Sequence, residues 1–309
     1  MPPKFGNPHL AVIVTNKCNL KCAYCLRKKS KAEIPLPKLE KIMKEAHQLG
    51  YRSMGLTGGE VLLYSQLKEL FRVIKELKWN ILFETNGILF NKEWLEFIEE
   101  NTKGEISFSV SLDSDKKEEH EKMRKGTSFD KAVEAIRLIA KGGHNLRVTC
   151  VLSGENLAKK GDFSRFFSFV ESLGAVNLNF QNEVDYKNRR QGKSLTPVYE
   201  SLLGEIEKYK GKVVISPPGK EQADLLNCSR LEGKNFCLSA TGIHPCIFAE
   251  PIKLGELKDF QDVYEKKMPA FIEFRKYALV KNQIKNGSCA DCVNAIKKEI
   301  KSLLSSASV

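Results

Sequence analysis

Three cysteines, Cys18, Cys22 and Cys25, are spaced C-x3-C-x2-C directly after the apolar run Leu10-Ala11-Val12-Ile13-Val14. Soft thiolates this close together select zinc or an iron–sulfur cluster over hard, oxygen-seeking cations. A structural zinc and a thiolate-held [4Fe–4S] cluster both normally take four protein ligands. No fourth Cys or His stands in the loop. Either a distant side chain closes the set, as in a zinc knuckle, or one metal corner is left for a small molecule. An open iron would be a place to do chemistry. Five more of the nine cysteines follow residue 211: Cys228, Cys237, Cys246, Cys289 and Cys292, with intervals C-x8-C-x8-C-x42-C-x2-C. On spacing alone these suit a zinc ribbon and a second iron–sulfur site equally well. Cys150 is isolated and is read as a buried structural residue.

Such a loop must be carried by something rigid. Apolar runs of strand length alternate with amphipathic stretches up to about residue 210. Strands are predicted at 10–15, 52–57, 80–85, 105–112, 146–152 and 176–181, and helices at 36–49, 65–77, 91–101, 128–141, 162–173 and 195–209. Phe129, Val133, Ile136 and Ala140 fall on one helical face. Six β–α repeats imply a parallel sheet with right-handed crossovers, curled into a partial barrel. Two strands are polar at every second position: Ser107, Ser109 and Ser111 continue into Asp113, and Asn177 and Asn179 into Gln181. Strands covered on both faces are usually apolar throughout, so this stripe predicts a polar lumen able to hold a ligand. The strand at 147–153 partly agrees, with Arg147, Thr149 and Ser153 on one side. After Val213-Val214-Ile215-Ser216-Pro217-Pro218-Gly219 the repeat stops. A boundary near 211 is therefore expected, giving a barrel domain over 1–210 and a small cysteine-rich domain over 211–309.

The cysteine triplet resembles the signature of the radical S-adenosylmethionine (radical SAM) enzymes, and other strand ends add to the likeness. Thr57-Gly58-Gly59-Glu60 is similar to the family's GGE motif, Thr85-Asn86-Gly87 to its TNG segment, and Ser111-Leu112-Asp113 to its SLD segment. The resemblance implies a [4Fe–4S] cluster on Cys18, Cys22 and Cys25, with SAM chelating the fourth iron and being cleaved to a 5′-deoxyadenosyl radical. It implies that Tyr24 packs on adenine, and that Gly58, Gly59 and Glu60 bind the SAM amino group. Ser111 and Asp113, then Thr85 and Asn86, are the next contacts implied. His120 and Arg124 also look like family usage, with Arg124 read as a surface residue or else a carboxylate ligand. The chain departs from the family's G-x-I-x-G motif: it reads Cys150-Val151-Leu152-Ser153-Gly154-Glu155-Asn156, where Ser153 and Asn156 are assigned to SAM. Gly242-Ile243-His244-Pro245-Cys246, Lys253-Leu254-Gly255 and the late C-x2-C resemble the SPASM/twitch auxiliary-cluster domain. No cysteine follows Cys292, which implies one auxiliary [4Fe–4S] cluster on Cys228, Cys246, Cys289 and Cys292, with Cys237 spare or replacing Cys228. His244 is read as a loop residue.

At 309 residues, 42% hydrophobic and 28% charged, the chain suits a folded, ordinary globular protein. It contains no apolar run of membrane-spanning length and no signal-like N-terminus, so a cytoplasmic enzyme is expected, with metal-binding cysteines rather than disulfides. The net charge of +12 admits an acidic partner. A zinc protein binding nucleic acid is the competing class. However, Lys and Glu are interspersed along the predicted helices, without an arginine stripe, which reads as a solvated surface. The expected partners are SAM, a low-potential electron donor such as ferredoxin or flavodoxin, and a substrate. That substrate is a peptide, as for many SPASM/twitch enzymes, or a small metabolite or cofactor precursor.

Overall fold

The computed structural model describes residues 9–153, 156–157, 162–183, 196–218, 228, 235–284 and 289–306. Gly154 and Glu155 of the fifth-strand motif lie outside them. Six strands, β1 (His9–Ile13), β3 (Ser53–Thr57), β4 (Asn80–Thr85), β5 (Ile106–Ser111), β7 (Asn145–Leu152) and β8 (Asn177–Asn182), pair in parallel in that spatial order. The helices that return the chain are α1 (Leu36–Gln48), α2 (Leu67–Leu77), α3 (Lys92–Glu100), α5 (Phe129–Lys141), α6 (Asp162–Ser172) and α7 (Thr196–Lys208). This is the (β/α)6 arrangement expected from the alternation of periods.

Local chemistry accounts for the elements. In α1, Pro37 lies in the first turn, where its missing N–H costs nothing, and Leu39, Ile42, Met43 and Ala46 form the buried stripe. Asn91 caps α3 by accepting from the Trp94 N–H at 2.9 Å. The buried stripe of α5 is Ala132, Val133, Ala135, Ile136 and Ile139. Phe129 and Ala140, read on the same face, are half-buried against the core. The outer face of the sheet, with Leu10, Val12, Leu56, Phe83, Phe108, Val110, Val148 and Leu178 fully buried, meets these helices and forms the core. Each such side chain contributes roughly 1.5–3 kcal/mol of burial.

The strand alternation had not exposed three features. A two-residue antiparallel ladder joins β2 (Lys21–Cys22) to β6 (Arg124–Lys125), directly after α4 (Lys117–Met123). The sheet also runs on past residue 210: β9 (Val214–Ser216) adds in parallel to β8, and β10 (Phe236–Ser239) adds in parallel to β1. Finally, β11 (Gly242–His244) closes a hairpin on β10, giving the nine-stranded order β11-β10-β1-β3-β4-β5-β7-β8-β9. Two long helices, α8 (Met268–Lys281) and α9 (Cys289–Ser306), pack together beyond it.

Candidate active site

The loop bearing Cys18, Cys22 and Cys25 leaves β1 at the C-terminal end of the sheet, with Cys18 and Cys22 half-buried, Cys25 exposed and none in a disulfide. Every strand-end motif braces it. After β3, the Gly59 N–H donates to the Thr15 carbonyl at 2.7 Å and the Glu60 N–H to the Lys17 carbonyl at 2.8 Å. Only glycine fits there. A Cβ on Gly58 would lie 2.9 Å from the Thr15 oxygen, and one on Gly59 would lie 2.3 Å from the Lys17 oxygen and 2.9 Å from Cys18 Cβ. After β4, the Asn86 side-chain amide donates to Asn19 Oδ1 at 2.8 Å.

The largest brace follows β5. Arg124 Nε donates to Asp113 Oδ2 at 2.7 Å and its NH2 to Oδ1 at 3.3 Å; Arg124 is 7% exposed and Asp113 0%. The Tyr24 hydroxyl donates to the same Oδ2, and the Arg124 guanidinium lies 5.4 Å from the centre of the Tyr24 ring. The Val151 N–H donates to Asp113 Oδ1 at 3.0 Å. Through β6, the backbone of Arg124 pairs with Cys22 itself. Arg124 is thus not the surface residue its lysine-rich neighbourhood suggests. It is a buried cation that ties the second and third cysteines to the end of β5. Beside it, His120 is fully buried, accepts from the Asp113 N–H at Nδ1 (3.2 Å), and has its pKa lowered to about 4 by burial and by Arg124.

Several candidate SAM contacts are committed inside the protein. Glu60 is 1% exposed; its carboxylate accepts from the Thr85 hydroxyl (2.7 Å) and the N–H groups of Asn86 (2.8 Å) and Leu62 (3.3 Å). Burial pushes its pKa up and these bonds pull it back. After the glycine turn this carboxylate points inward and locks β3 to β4. Asn156, also fully buried, donates to the carbonyls of Asp113 (2.8 Å) and Val151 (2.9 Å) and accepts from the Ser153 N–H (3.2 Å). Tyr24, Gly58, Gly59, Ser111 and Ser153 remain half-exposed around the cysteine loop. Cys150 is buried, with its thiol directed to the Asp113 carbonyl at 3.6 Å.

The inner face of the sheet is polar. Glu84, Ser109, Arg147 and Asn177 lie in one register row across four strands. Arg147 NH2 meets Glu84 Oε1 at 3.2 Å, and Ser109 Oγ meets Thr149 Oγ1 at 2.9 Å. This layer lies below the strand ends that carry the braces.

A second set of thiols gathers in the C-terminal part. Cys228, Cys246, Cys289 and Cys292 line one cavity with Pro245, Phe271 and Arg275. Cys237 lies elsewhere, fully buried in β10 beside Ala11 of β1. Burial pushes the Cys246 thiol up to about 12, with the neighbouring thiols adding to the shift. His244 is a buried strand residue, its Nε2 against Ser239 Oγ at 2.9 Å and its Nδ1 against the Ile252 carbonyl at 3.0 Å. Arg27, just past the cysteine triplet, pairs with Glu250 at 2.8 Å and ties the two regions together.

Both thiol sets suit iron–sulfur clusters in donor type and number: three soft ligands on one braced loop, and four around one largely apolar cavity. Among the described residues, no His, Cys, Asp or Glu side chains are drawn into closed metal-ligand geometry. Some surface lysines pair with glutamates along helices, as between Lys41 and Glu45, Lys44 and Glu40, and Lys92 and Glu96. Among the described residues, no helix is long and apolar enough to cross a membrane.

Residues 12–167 match the family model described as Radical SAM superfamily. The antilisterial bacteriocin subtilosin biosynthesis protein AlbA of Bacillus subtilis is 28% identical over 83% of this chain, which spans 58% of that protein's length. A GTP 3′,8-cyclase of Clostridium perfringens is 26% identical over 69% of this chain and 67% of its own. Among solved structures, Streptococcus suis SuiB bound to S-adenosylmethionine superposes with a TM-score of 0.70 at 18% identity, over 87% of this chain and 69% of that one. Native anSMEcpe with bound AdoMet superposes with a TM-score of 0.67 at 23% identity, over 86% of this chain and 83% of that one. These likenesses agree with the fold.

Proposed function

Because this chain belongs to the radical SAM superfamily, we propose that it is a peptide-modifying radical enzyme working through two [4Fe–4S] clusters. Cys18, Cys22 and Cys25 would hold the first, with SAM on its remaining iron, and Cys228, Cys246, Cys289 and Cys292 the second, in a twitch-like domain. Loaded and reduced, the first site supplies a 5′-deoxyadenosyl radical that takes a hydrogen atom from substrate. The observation carrying this reading is that three strand-end devices immobilise one three-thiol loop. They are the Gly58–Gly59 packing, the Asn86–Asn19 bond and the Tyr24–Asp113 bond with its Arg124 ion pair. A structural zinc knuckle needs no such support from a barrel.

The residues then have separable tasks. The ring of Tyr24, the half-exposed backbone of Gly58 and Gly59, and the hydroxyls of Ser111 and Ser153 border the loop and would bind SAM. Thr85, Asn86, Glu60, Asp113 and Asn156 hold those surfaces still. The Glu84–Arg147 layer would receive the substrate. Four thiols around the second cavity leave no iron open to substrate, so that cluster would serve electron transfer or structure. A peptide substrate is favoured by the similarity to the subtilosin biosynthesis protein and to SuiB, which has been solved with its precursor peptide SuiA. Likeness to GTP 3′,8-cyclases keeps a nucleotide as the second reading.

Anaerobic reconstitution followed by metal analysis is the first test. Two clusters require about eight iron and eight sulfide per chain, and stoichiometric zinc without sulfide would overturn the proposal. With SAM and a strong reductant, wild type should form 5′-deoxyadenosine and Cys22→Ala should not. Peptides encoded beside the gene should lose hydrogen by mass analysis. Turnover of GTP with no change in such peptides would favour the second reading.

A further inference from the structure

The cavity lined by Cys228, Cys246, Cys289 and Cys292 also contains one cation. Arg275, on α8, is 2% exposed, and its Nε–H donates to Cys292 Sγ at 3.1 Å. Cys292 is in the first turn of α9, so the bond crosses the α8–α9 interface from within the cavity. The other lining residues include Phe248, Ala249, Phe271, Val293 and Ile296, so the surroundings are apolar. Burying a guanidinium is costly, and one of its hydrogen bonds here goes to a cysteine sulfur.

Taking the second cluster as proposed above, we infer that Arg275 sets its reduction potential, donating to the Cys292 sulfur and placing a positive charge against the cluster so that the reduced state is favoured. The physics is that of every iron–sulfur site. Reduction adds one negative charge, and hydrogen bonds to sulfur together with nearby positive charge stabilise it. The apolar lining reduces screening, so both effects are stronger than they would be in water. A cluster held at higher potential is a better electron acceptor, which suits an enzyme whose product is more oxidised than its substrate. Arg275 is in this sense a positioning and tuning residue; it need not touch substrate.

The test is an anaerobic redox titration followed by EPR, in a Cys22→Ala background so that only the second site loads. Iron analysis comes first. About four iron per chain supports the second cluster, whereas zinc or no iron overturns both that reading and this one. With the cluster loaded, Arg275→Met should lower the midpoint, cutting the ratio of reduced to oxidised cluster at a fixed potential by on the order of tenfold, or about 59 mV for one electron. Arg275→Gln, which keeps an N–H but no charge, should fall between the two. Normal loading with an unmoved midpoint in Arg275→Met overturns the inference and leaves the cluster assignment standing. If Arg275→Met does not load, Arg275→Gln decides: a lowered midpoint supports the role, and a wild-type midpoint refutes it.

Discussion

Replacing Gly59 with alanine adds one carbon at the point where the end of β3 touches the cysteine loop. That Cβ would sit 2.3 Å from the Lys17 oxygen, below the 3.0 Å that such contacts require, so the chains must part by at least 0.7 Å. Cys18 Cβ, 2.9 Å from the new carbon, must move with them. The separation also strains the two backbone hydrogen bonds at the same place, Gly59 to Thr15 and Glu60 to Lys17. Overpacking of this kind costs about 1–3 kcal/mol, and each weakened hydrogen bond adds up to about 1 kcal/mol. Because the reacting groups would be misplaced by most of an ångström, 5′-deoxyadenosine formation should fall at least about tenfold, towards the roughly hundredfold loss that a 1 Å error can cause. Iron at the first site should fall, while the four-cysteine site, far along the chain, keeps its load. Gly204→Ala is the control. No atom lies within 4 Å of its added Cβ, and it lies inside α7, so the change should raise stability by up to about 1 kcal/mol and leave activity alone. Gly59→Ala with full iron and wild-type 5′-deoxyadenosine formation would refute the claim that the two glycines place the loop.

Other expectations concern the braces. Asp113→Asn leaves Arg124 buried without its carboxylate and should cost about 3–5 kcal/mol in urea unfolding, more than Asp113→Asn combined with Arg124→Met; a loss within 1 kcal/mol of wild type would argue against a buried pair. His120 is held neutral, its pKa lowered from 6.5 to about 4. A group whose folded pKa is depressed binds its proton first in the unfolded chain, so stability present above pH 6.5 should drain away as pH falls towards 4, by about 3 kcal/mol. Unfolding midpoints at pH 7.5, 6 and 4.5 should fall more steeply for wild type than for His120→Gln, and equal slopes would dismiss this histidine as the cause. Cys246→Ser should halve the iron while uncoupled 5′-deoxyadenosine formation persists; loss of both would mean the two thiol sites are not independent.

The parts of this fold that could be read from sequence are those in which one face of an element differs sharply from the other. Ile106 to Leu112 alternates because its phenylalanine and valine meet helices while its serines face the lumen. The cysteine spacing is local, so no folding need be known to see it. Arg124 was hidden because it follows Glu121 and Lys122 in a charged helix, and its partner Asp113 is brought to it only by the turn through α4. The signal available was the lone aspartate ending a serine-lined strand. The spacing of Gly58, Gly59 and Glu60 marks a strand end, but the bonds of the Glu60 carboxylate to Thr85 and Asn86 depend on pairing between β3 and β4 that spacing does not reveal. The ladder of β2 with β6 is two residues long, too short for any period. The pairing of β10 with β1 leaves no local signal, because the two strands lie at opposite ends of the chain.

That last pairing bears on how the protein comes into being. Strand β1 is an interior strand, yet one of its neighbours emerges from the ribosome far later: His9 is bonded to Asn235, 226 positions on. At about 5–20 residues per second, translation would leave that flank bare for roughly 10–45 s. The open backbone edge beside the future cluster loop invites pairing with other nascent chains during this interval. Expression yield should therefore depend on how well the cell shields a half-made sheet.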